Sequence, residues 1–164
     1  MEKYVFRRYK FWYPFLFRKE KKKLDKLFPD AKIEHVGSTS IPGLGGKGII
    51  DILIGLKKSN WKKTKKVLLN RGYSFMKNIV GDKDRISFMR DYGFWLFKRR
   101  VHIHVTFIDS NNWKEKINFR NNLLSSKKLC REYEKLKKEA VKKAKGESLI
   151  YRAHKSKFIK KYSR

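Results

Sequence analysis

Glu34-His35-Val36-Gly37-Ser38-Thr39-Ser40-Ile41-Pro42-Gly43-Leu44-Gly45-Gly46-Lys47-Gly48-Ile49-Ile50-Asp51-Ile52-Leu53 is the stretch whose reading decides the fold. Ala31 to Val36 alternates and predicts a short strand that runs into a Gly-Ser turn and then a glycine-rich loop, Ile41 to Gly46. Lys47 to Leu56 is a continuous apolar run holding one carboxylate, Asp51, the profile of a central strand covered on both faces. Gly37 lets the backbone approach a ligand closely, while the hydroxyls of Ser38 and Thr39 and nearby free N–H groups suit phosphate oxygens. Lys47 adds a point charge, and Asp51 would face the same crevice and hold a divalent cation such as Mg²⁺ that bridges those phosphates. A glycine-rich turn beside a core strand, its aspartate capping or pairing with a neighbour, is the plainer alternative.

Two better-known loops are excluded. Lys47 is followed by Gly48 and not by Ser or Thr, so the loop is not a Walker A motif. Gly43-Leu44-Gly45 precedes a strand, whereas a dinucleotide fingerprint follows one and opens a helix.

Outward from this stretch, the pattern from Phe15 to Phe28 predicts an amphipathic helix ended by Pro29-Asp30, preceded by the aromatic run Phe11-Trp12-Tyr13-Pro14. Ser59 reads as the N-cap of a helix with Trp61, the stem alone of Lys65, Leu68 and Leu69 inward, closing at Arg71-Gly72. Tyr73 to Lys77, Arg85 to Arg90, Phe94 to Phe97 and His102 to Phe107 predict short antiparallel strands with turns at Gly81-Asp82 and Asp91-Tyr92-Gly93. From Trp113 onward the period is helical and predicts three helices. In Lys127 to Lys145, Leu129, Tyr133, Leu136, Ala140 and Ala144 face inward and Gly146 ends the helix. On another face Lys128, Arg131, Lys135, Lys138, Lys142 and Lys145 form a basic stripe, either a solvated surface or a track for a phosphate backbone.

With 164 residues, 40% hydrophobic and 15% aromatic, the chain reads as one folded domain, 1–164, not as a disordered segment. No apolar run approaches the roughly 20 residues of a membrane span, so no membrane partner is expected. No apolar signal segment follows Met1 to Arg8, and the single cysteine, Cys130, forms no internal disulfide; both point to the cytoplasm. The net charge of +29 would attract any polyanion and names none. Lysine scattered along the chain beside asparagine and isoleucine is also what a biased genome or a hot or saline cytoplasm produces.

The run from Glu34 to Leu44, then Lys47 and Ile49 to Leu53, resembles the signature of the GrpB family of the nucleotidyltransferase superfamily. Gly72-Tyr73, Arg85 with Phe88, His102-Ile103-His104-Val105, Phe119-Arg120, Tyr133 with Leu136-Lys137, and Tyr151 with Lys155 follow in the family's order, so the resemblance spans the whole chain. It implies an α+β fold: a nucleotidyltransferase-like mixed sheet flanked by helices, with a helical C-terminal segment. It also implies a pocket formed by the Gly-Ser turn, the Asp51 strand and the His102 to His104 strand. In nucleotidyltransferases generally, Gly-Ser binds a nucleoside triphosphate and two carboxylates spaced two apart on one strand face hold two metal ions. Here Leu53 stands where the second carboxylate would be. Glu34, His102 and His104 are the candidate substitutes, and a His-x-His pair on one strand face suits zinc, iron or nickel better than magnesium. Asp51 and His104 are the candidate catalytic residues. Arg85, Arg120 and Lys155, matched to the family, would complete the anion pocket around Gly37, Ser38, Thr39 and Lys47, or would anchor the helices to the sheet.

Three functions remain open on the residues: transfer of a nucleotidyl or phosphoryl group, binding of a nucleotide or other phosphorylated small molecule without catalysis, and nucleic-acid association through the basic surface. For the last, Trp12, Tyr13 and Trp95 are candidate stacking residues. The oligomeric state is not legible in the sequence.

Overall fold

The computed structural model describes residues 5–57, 61–76, 84–93 and 99–164. In chain order the elements are α1 (Tyr13–Leu27), β1 (Lys32–Val36), a 3-10 turn (Ser38–Ser40), β2 (Ile50–Leu56), α2 (Trp61–Asn70), β3 (Ser74–Met76), β4 (Arg85–Tyr92), β5 (Arg99–Phe107), α3 (Asn111–Ser125), α4 (Lys127–Ala144) and α5 (Ser148–Tyr162). The strands form one mixed sheet in the order β1-β2-β5-β4-β3. Among the described residues only β2 and β5 run parallel; the other pairs are antiparallel. This is the expected mixed sheet with helices at its sides and a helical C-terminal segment.

Period-2 alternation sorts the strands onto two faces. Ile50, Ile52, Ile54, Ile103, Val105 and Phe88 point to one face, where they meet Leu24 and Phe28 of the α1 segment and Leu68 of α2 in the main core. Asp51 and Leu53 of β2, His102 and His104 of β5, and Ser87 of β4 lie on the other face, as their cross-strand pairings require. There Val36 and Leu53 are covered by Trp113 and Ile117 of α3. A second core, built on Ile41, Leu44, Leu123, Leu129 and Tyr133, joins the glycine-rich loop to the C-terminal helices.

Local signals set the helix ends. The α2 helix stops in a Schellman arrangement: Gly72 has φ +78°, Tyr73 N–H donates to Leu68 C=O at 3.1 Å, and Gly72 N–H donates to Leu69 C=O at 3.0 Å. Ser110 and Ser126 cap α3 and α4 by accepting from Trp113 N–H and Leu129 N–H. Gly146, φ +97°, follows the end of α4.

Several sequence expectations are corrected. The central strand begins at Ile50, not Lys47, because Gly46 is tied to Arg7 in an isolated bridge and Gly48 turns the chain with φ +75°. Asp91 and Tyr92 are no turn; they continue β4 opposite Arg100 and Arg99. The last expected strand starts earlier, at Arg99, and pairs in parallel with β2 on one side. On α2, Leu69 is 43% exposed while Thr64 is buried in its place. On α4, Lys137 takes the fully buried position and Leu136 is only half-buried. Ser59, Lys77, Gly81-Asp82 and Phe94 to Phe97 lie outside the described residues.

His35 joins β1 to the turn that follows. Its ring stacks on Phe17 at 4.5 Å, and Nε2 lies 3.0 Å from Thr39 Oγ1. The Thr39 hydroxyl donates to Ile49 C=O at 2.9 Å, so it can only accept from His35, which fixes the imidazole proton on Nε2. Burial lowers the His35 pKa from 6.5 to about 4; the Asp51 carboxylate opposes that fall and the Arg120 guanidinium assists it. The unfolded chain therefore takes up a proton between pH 6.5 and 4 that the folded chain refuses. The stability from the neutral ring is complete above pH 6.5 and is lost as pH falls towards 4, by at most about 1.4 kcal/mol per pH unit. His35→Gln should remove about one proton from the acid slope of stability, read from urea unfolding at a series of pH values. An unchanged slope would mean that His35 is not held neutral by the fold.

Candidate functional site

Between the Asp51 face of the sheet and helices α3, α4 and α5 lies a cleft of about 490 Å³. Parallel pairing sets Asp51 of β2 directly beside His102 of β5, and the next outward residue of β5, His104, reaches the same carboxylate. Asp51 Oδ1 lies 3.6 Å from His102 Nδ1 and 3.5 Å from His104 Nε2. The three donor atoms all fall within 4.8 Å of one another. On the other side of the carboxylate stands Gly37, with φ +73°; a Cβ built there would come within 2.3 Å of Asp51 Oδ2. Only glycine satisfies both that backbone angle and that close approach.

Burial raises the Asp51 pKa, but hydrogen bonding from His104 and the charges of His102, His104 and Lys116 outweigh it, and the net shift is downward. His104 moves from 6.5 to about 4, driven first by burial and then by Lys116, against the pull of Asp51. At neutral pH the cluster is thus a carboxylate with a neutral imidazole at His104, the form in which these groups coordinate metals. His104 Nδ1 is hydrogen-bonded to Ser87 Oγ at 3.1 Å. A hydroxyl can donate or accept, so this contact orients the ring in either tautomer, the outer support usual for a metal-ligating histidine.

The donor set fits one divalent ion of the zinc, iron or manganese kind. Bonds of about 2.0–2.1 Å to His N and Asp O at tetrahedral angles put neighbouring ligands roughly 3.4 Å apart, close to the 3.6 and 3.5 Å that separate Asp51 Oδ1 from His102 Nδ1 and His104 Nε2. It does not fit a two-ion carboxylate site. Leu53 is fully buried against Val36 and Trp113, so the position of a second carboxylate is apolar core.

The walls of the cleft are basic: Lys47, Arg85, Lys116, Arg120, Lys137, Arg152 and Lys155 line it, against the carboxylates of Asp51 and Glu115. Lys155 Nζ lies 4.0 Å and Lys47 Nζ 5.0 Å from the centre of the Tyr151 ring. Lys137, 2% exposed, donates to Gly45 C=O and lies 4.9 Å from the Tyr133 ring. Burial, then the charge of Lys155, lowers the Lys137 pKa to about 7; burial, then Lys47, lowers Lys155 to about 8. Crowded cations of this kind are stabilised by an anion placed among them.

Gly37, Ser38, Lys47, Asp51, Arg85, His102, His104, Arg120 and Lys155, all expected from the sequence, therefore share one cleft. Two expected residues do not line it. Thr39 is buried, its hydroxyl engaged by Ile49 and His35. Glu34 turns to Arg120, Oε2 to Nη1 at 2.6 Å, and thereby fixes a guanidinium that also donates to His35 C=O. Ser87, Lys116, Lys137 and Arg152 were missed. Lys137 alone left a signal, a cation at helical spacing between the inward positions Tyr133 and Ala140.

With this geometry in place, comparisons with known proteins carry weight. A family model described as GrpB protein matches residues 5–164. The chain is 30% identical over 148 residues, 88% of its length and 84% of the relative's, to the glutamate-rich protein GrpB of Alkalihalophilus pseudofirmus. Among solved structures, the conserved protein GrpB from Enterococcus faecalis superposes with a TM-score of 0.80 at 24% identity, covering 97% of this chain and 94% of that one. A slighter likeness, with a TM-score of 0.43 at 14% identity over 80% of this chain and 45% of the other, is to the Cid1 poly(U) polymerase bound to MgGTP. A match from Val5 to the last residue, joined to a relative of nearly the same extent, places the chain in the GrpB family.

Proposed function

We propose that the cleft binds a nucleotide or another phosphorylated small molecule together with one divalent cation, and transfers its nucleotidyl or phosphoryl group. The observation that carries this reading is the three-donor cluster Asp51, His102 and His104 at the floor of a cleft walled by seven cations. Asp51 Oδ1, His102 Nδ1 and His104 Nε2 would hold the ion, which when bound neutralises phosphate charge and polarises a phosphoryl oxygen. Ser38 and the turn after Gly37 supply hydrogen bonds to phosphate oxygens; Lys47, Lys155, Lys116 and Arg120 balance the charge. Lys137 Nζ, with its pKa near neutrality, can take or release a proton beside the Gly45 carbonyl. A second reading, binding without transfer, is favoured by Leu53, whose burial removes the second carboxylate on which two-ion transfer depends.

Calorimetric titration with Zn²⁺ or Mn²⁺ should show one ion per chain, and Asp51→Ala or His104→Ala should weaken it at least about a hundredfold. Nucleoside triphosphate incubated with the loaded protein and a panel of hydroxyl acceptors, water included, should yield pyrophosphate if the nucleotidyl group moves to the acceptor oxygen, or nucleoside diphosphate if the terminal phosphoryl group does. Bound nucleotide without product would favour the second reading, and no nucleotide binding with or without the ion would contradict both.

Leu53→Asp should lose about 3 kcal/mol or more of stability, because it sets a carboxylate beneath Trp113. It should also fail to bind a second ion; gain of one would contradict the assignment of a one-ion site.

Because Lys137 and Lys155 titrate at about 7 and about 8, affinity for a phosphate ligand should fall as pH rises from 7 to 9, as the ammonium groups needed by the anion lose their protons. Titrations at pH 8 in buffers of different ionisation enthalpy should show proton uptake on binding. Zero uptake would contradict the placement of phosphate between these lysines.

A further inference from the structure

Outside the cleft, the N-terminal segment links two features that the proposed function does not use. Phe11 is 82% exposed, Phe15 58% and Trp12 44%, all at the start of α1. Phe11 and Trp12 meet edge to face at 5.1 Å, and Lys10 Nζ lies 5.5 Å from the Trp12 ring. From Val5 to Lys19 the chain carries Arg7, Arg8, Lys10, Arg18 and Lys19 and no acid. Tyr13, another stacking candidate, is buried and faces the core; Trp95 lies outside the described residues.

The N-terminal segment runs directly to the basic stripe of α4. The ring of Phe6 has Lys138 Nζ at 5.1 Å, and Arg7 is bridged to Gly46 beside it. Lys128, Arg131, Lys135, Lys138, Lys142 and Lys145 are all exposed, opposite the buried positions Leu129, Tyr133, Lys137, Ala140 and Ala144. Lys138 is paired with Glu134 at 3.2 Å. One cation per turn over an 18-residue helix makes a line of charge about 27 Å long.

We infer that this surface binds a single-stranded nucleic acid, its backbone along α4 and Arg7-Arg8 and its bases on Phe11, Trp12 and Phe15. A linear polyanion matches a linear row of cations, and the exposed rings further along the segment that Phe6 ties to that row give bases a stacking platform. A lipid surface fits less well, since a helix lying on a membrane buries its apolar face there, and that face of α4 is turned into the protein.

The test is fluorescence anisotropy with labelled twenty-nucleotide oligo-dT and oligo-U, a duplex of the same length, and anionic phosphatidylserine vesicles, each over a range of salt. The intact protein should bind the single strands. A Lys128→Gln, Arg131→Gln, Lys135→Gln variant should lower the slope of log affinity against log salt by about 2, at roughly 0.7 per lost contact. A Phe11→Ala, Trp12→Ala, Phe15→Ala variant should weaken single strands tenfold or more and the duplex far less. Both variants should keep the far-ultraviolet dichroism, the melting temperature and the Zn²⁺ affinity of the parent, which separates this surface from the cleft. Equal binding of single strands by the aromatic variant and the parent would overturn the inference. So would ring-dependent binding to vesicles but not to oligonucleotides.

Discussion

Asp51 is a half-enclosed carboxylate set between His102 and His104, and the arrangement of the cleft depends on that contact. It needs three things at once. Strand β5 must run parallel to β2, so that His102 sits beside Asp51 with His104 one step along the same face. Residue 37 must lack a side chain, because any Cβ would strike Asp51 Oδ2. The hydrogen bond from His104 and the nearby positive charge, Lys116 included, must exceed the penalty of burial. The sheet order supplies the first, the glycine turn the second and the basic α3 helix the third.

From that contact the rest of the site follows by charge. Two carboxylates, Asp51 and Glu115, cannot balance the cations gathered by α3, α4 and α5, and burial makes their crowding more unfavourable, as the lowered pKa values of Lys137 and Lys155 record. The fold has stored this repulsion in a cleft where an anion would relieve it. Lys137 shows the two scales together: it ties the glycine-rich loop to α4 through the Gly45 carbonyl, and its charge belongs to the cleft.

Much of this was legible in the sequence, for definable reasons. Strong periodicity marked α1 and α4, a continuous apolar run marked β2, and Gly72 and Gly146 marked the ends of α2 and α4, whereas the caps Ser110 and Ser126 were not expected. Asp51 stood out because a carboxylate interrupts an otherwise apolar strand, and His102 and His104 because the family resemblance includes them and they share one face of a period-2 strand. The parallel pairing of β2 with β5 was hidden, since strand order is a long-range property that alternation does not encode. Glu34 and Thr39 misled because spacing reports proximity along the chain and not the partner chosen: Arg120 arrives from 86 residues away to claim Glu34, and Ile49 and His35 occupy Thr39. Lys116 and Arg152 lie on helices rich in lysine and arginine, where no local signal distinguishes a cleft cation from a solvated one. Tyr13 belonged to an aromatic cluster that α1 divides between core and solvent.

The function proposed for the cleft requires a single-ion site, and anomalous X-ray diffraction from crystals grown with Mn²⁺ or Zn²⁺ tests for it most directly. One peak per chain, bounded by Asp51 Oδ1, His102 Nδ1 and His104 Nε2 with Leu53 undisturbed, is the predicted result. No peak among these three residues, or a pair of peaks spanning Asp51 and the region of Leu53, would contradict it.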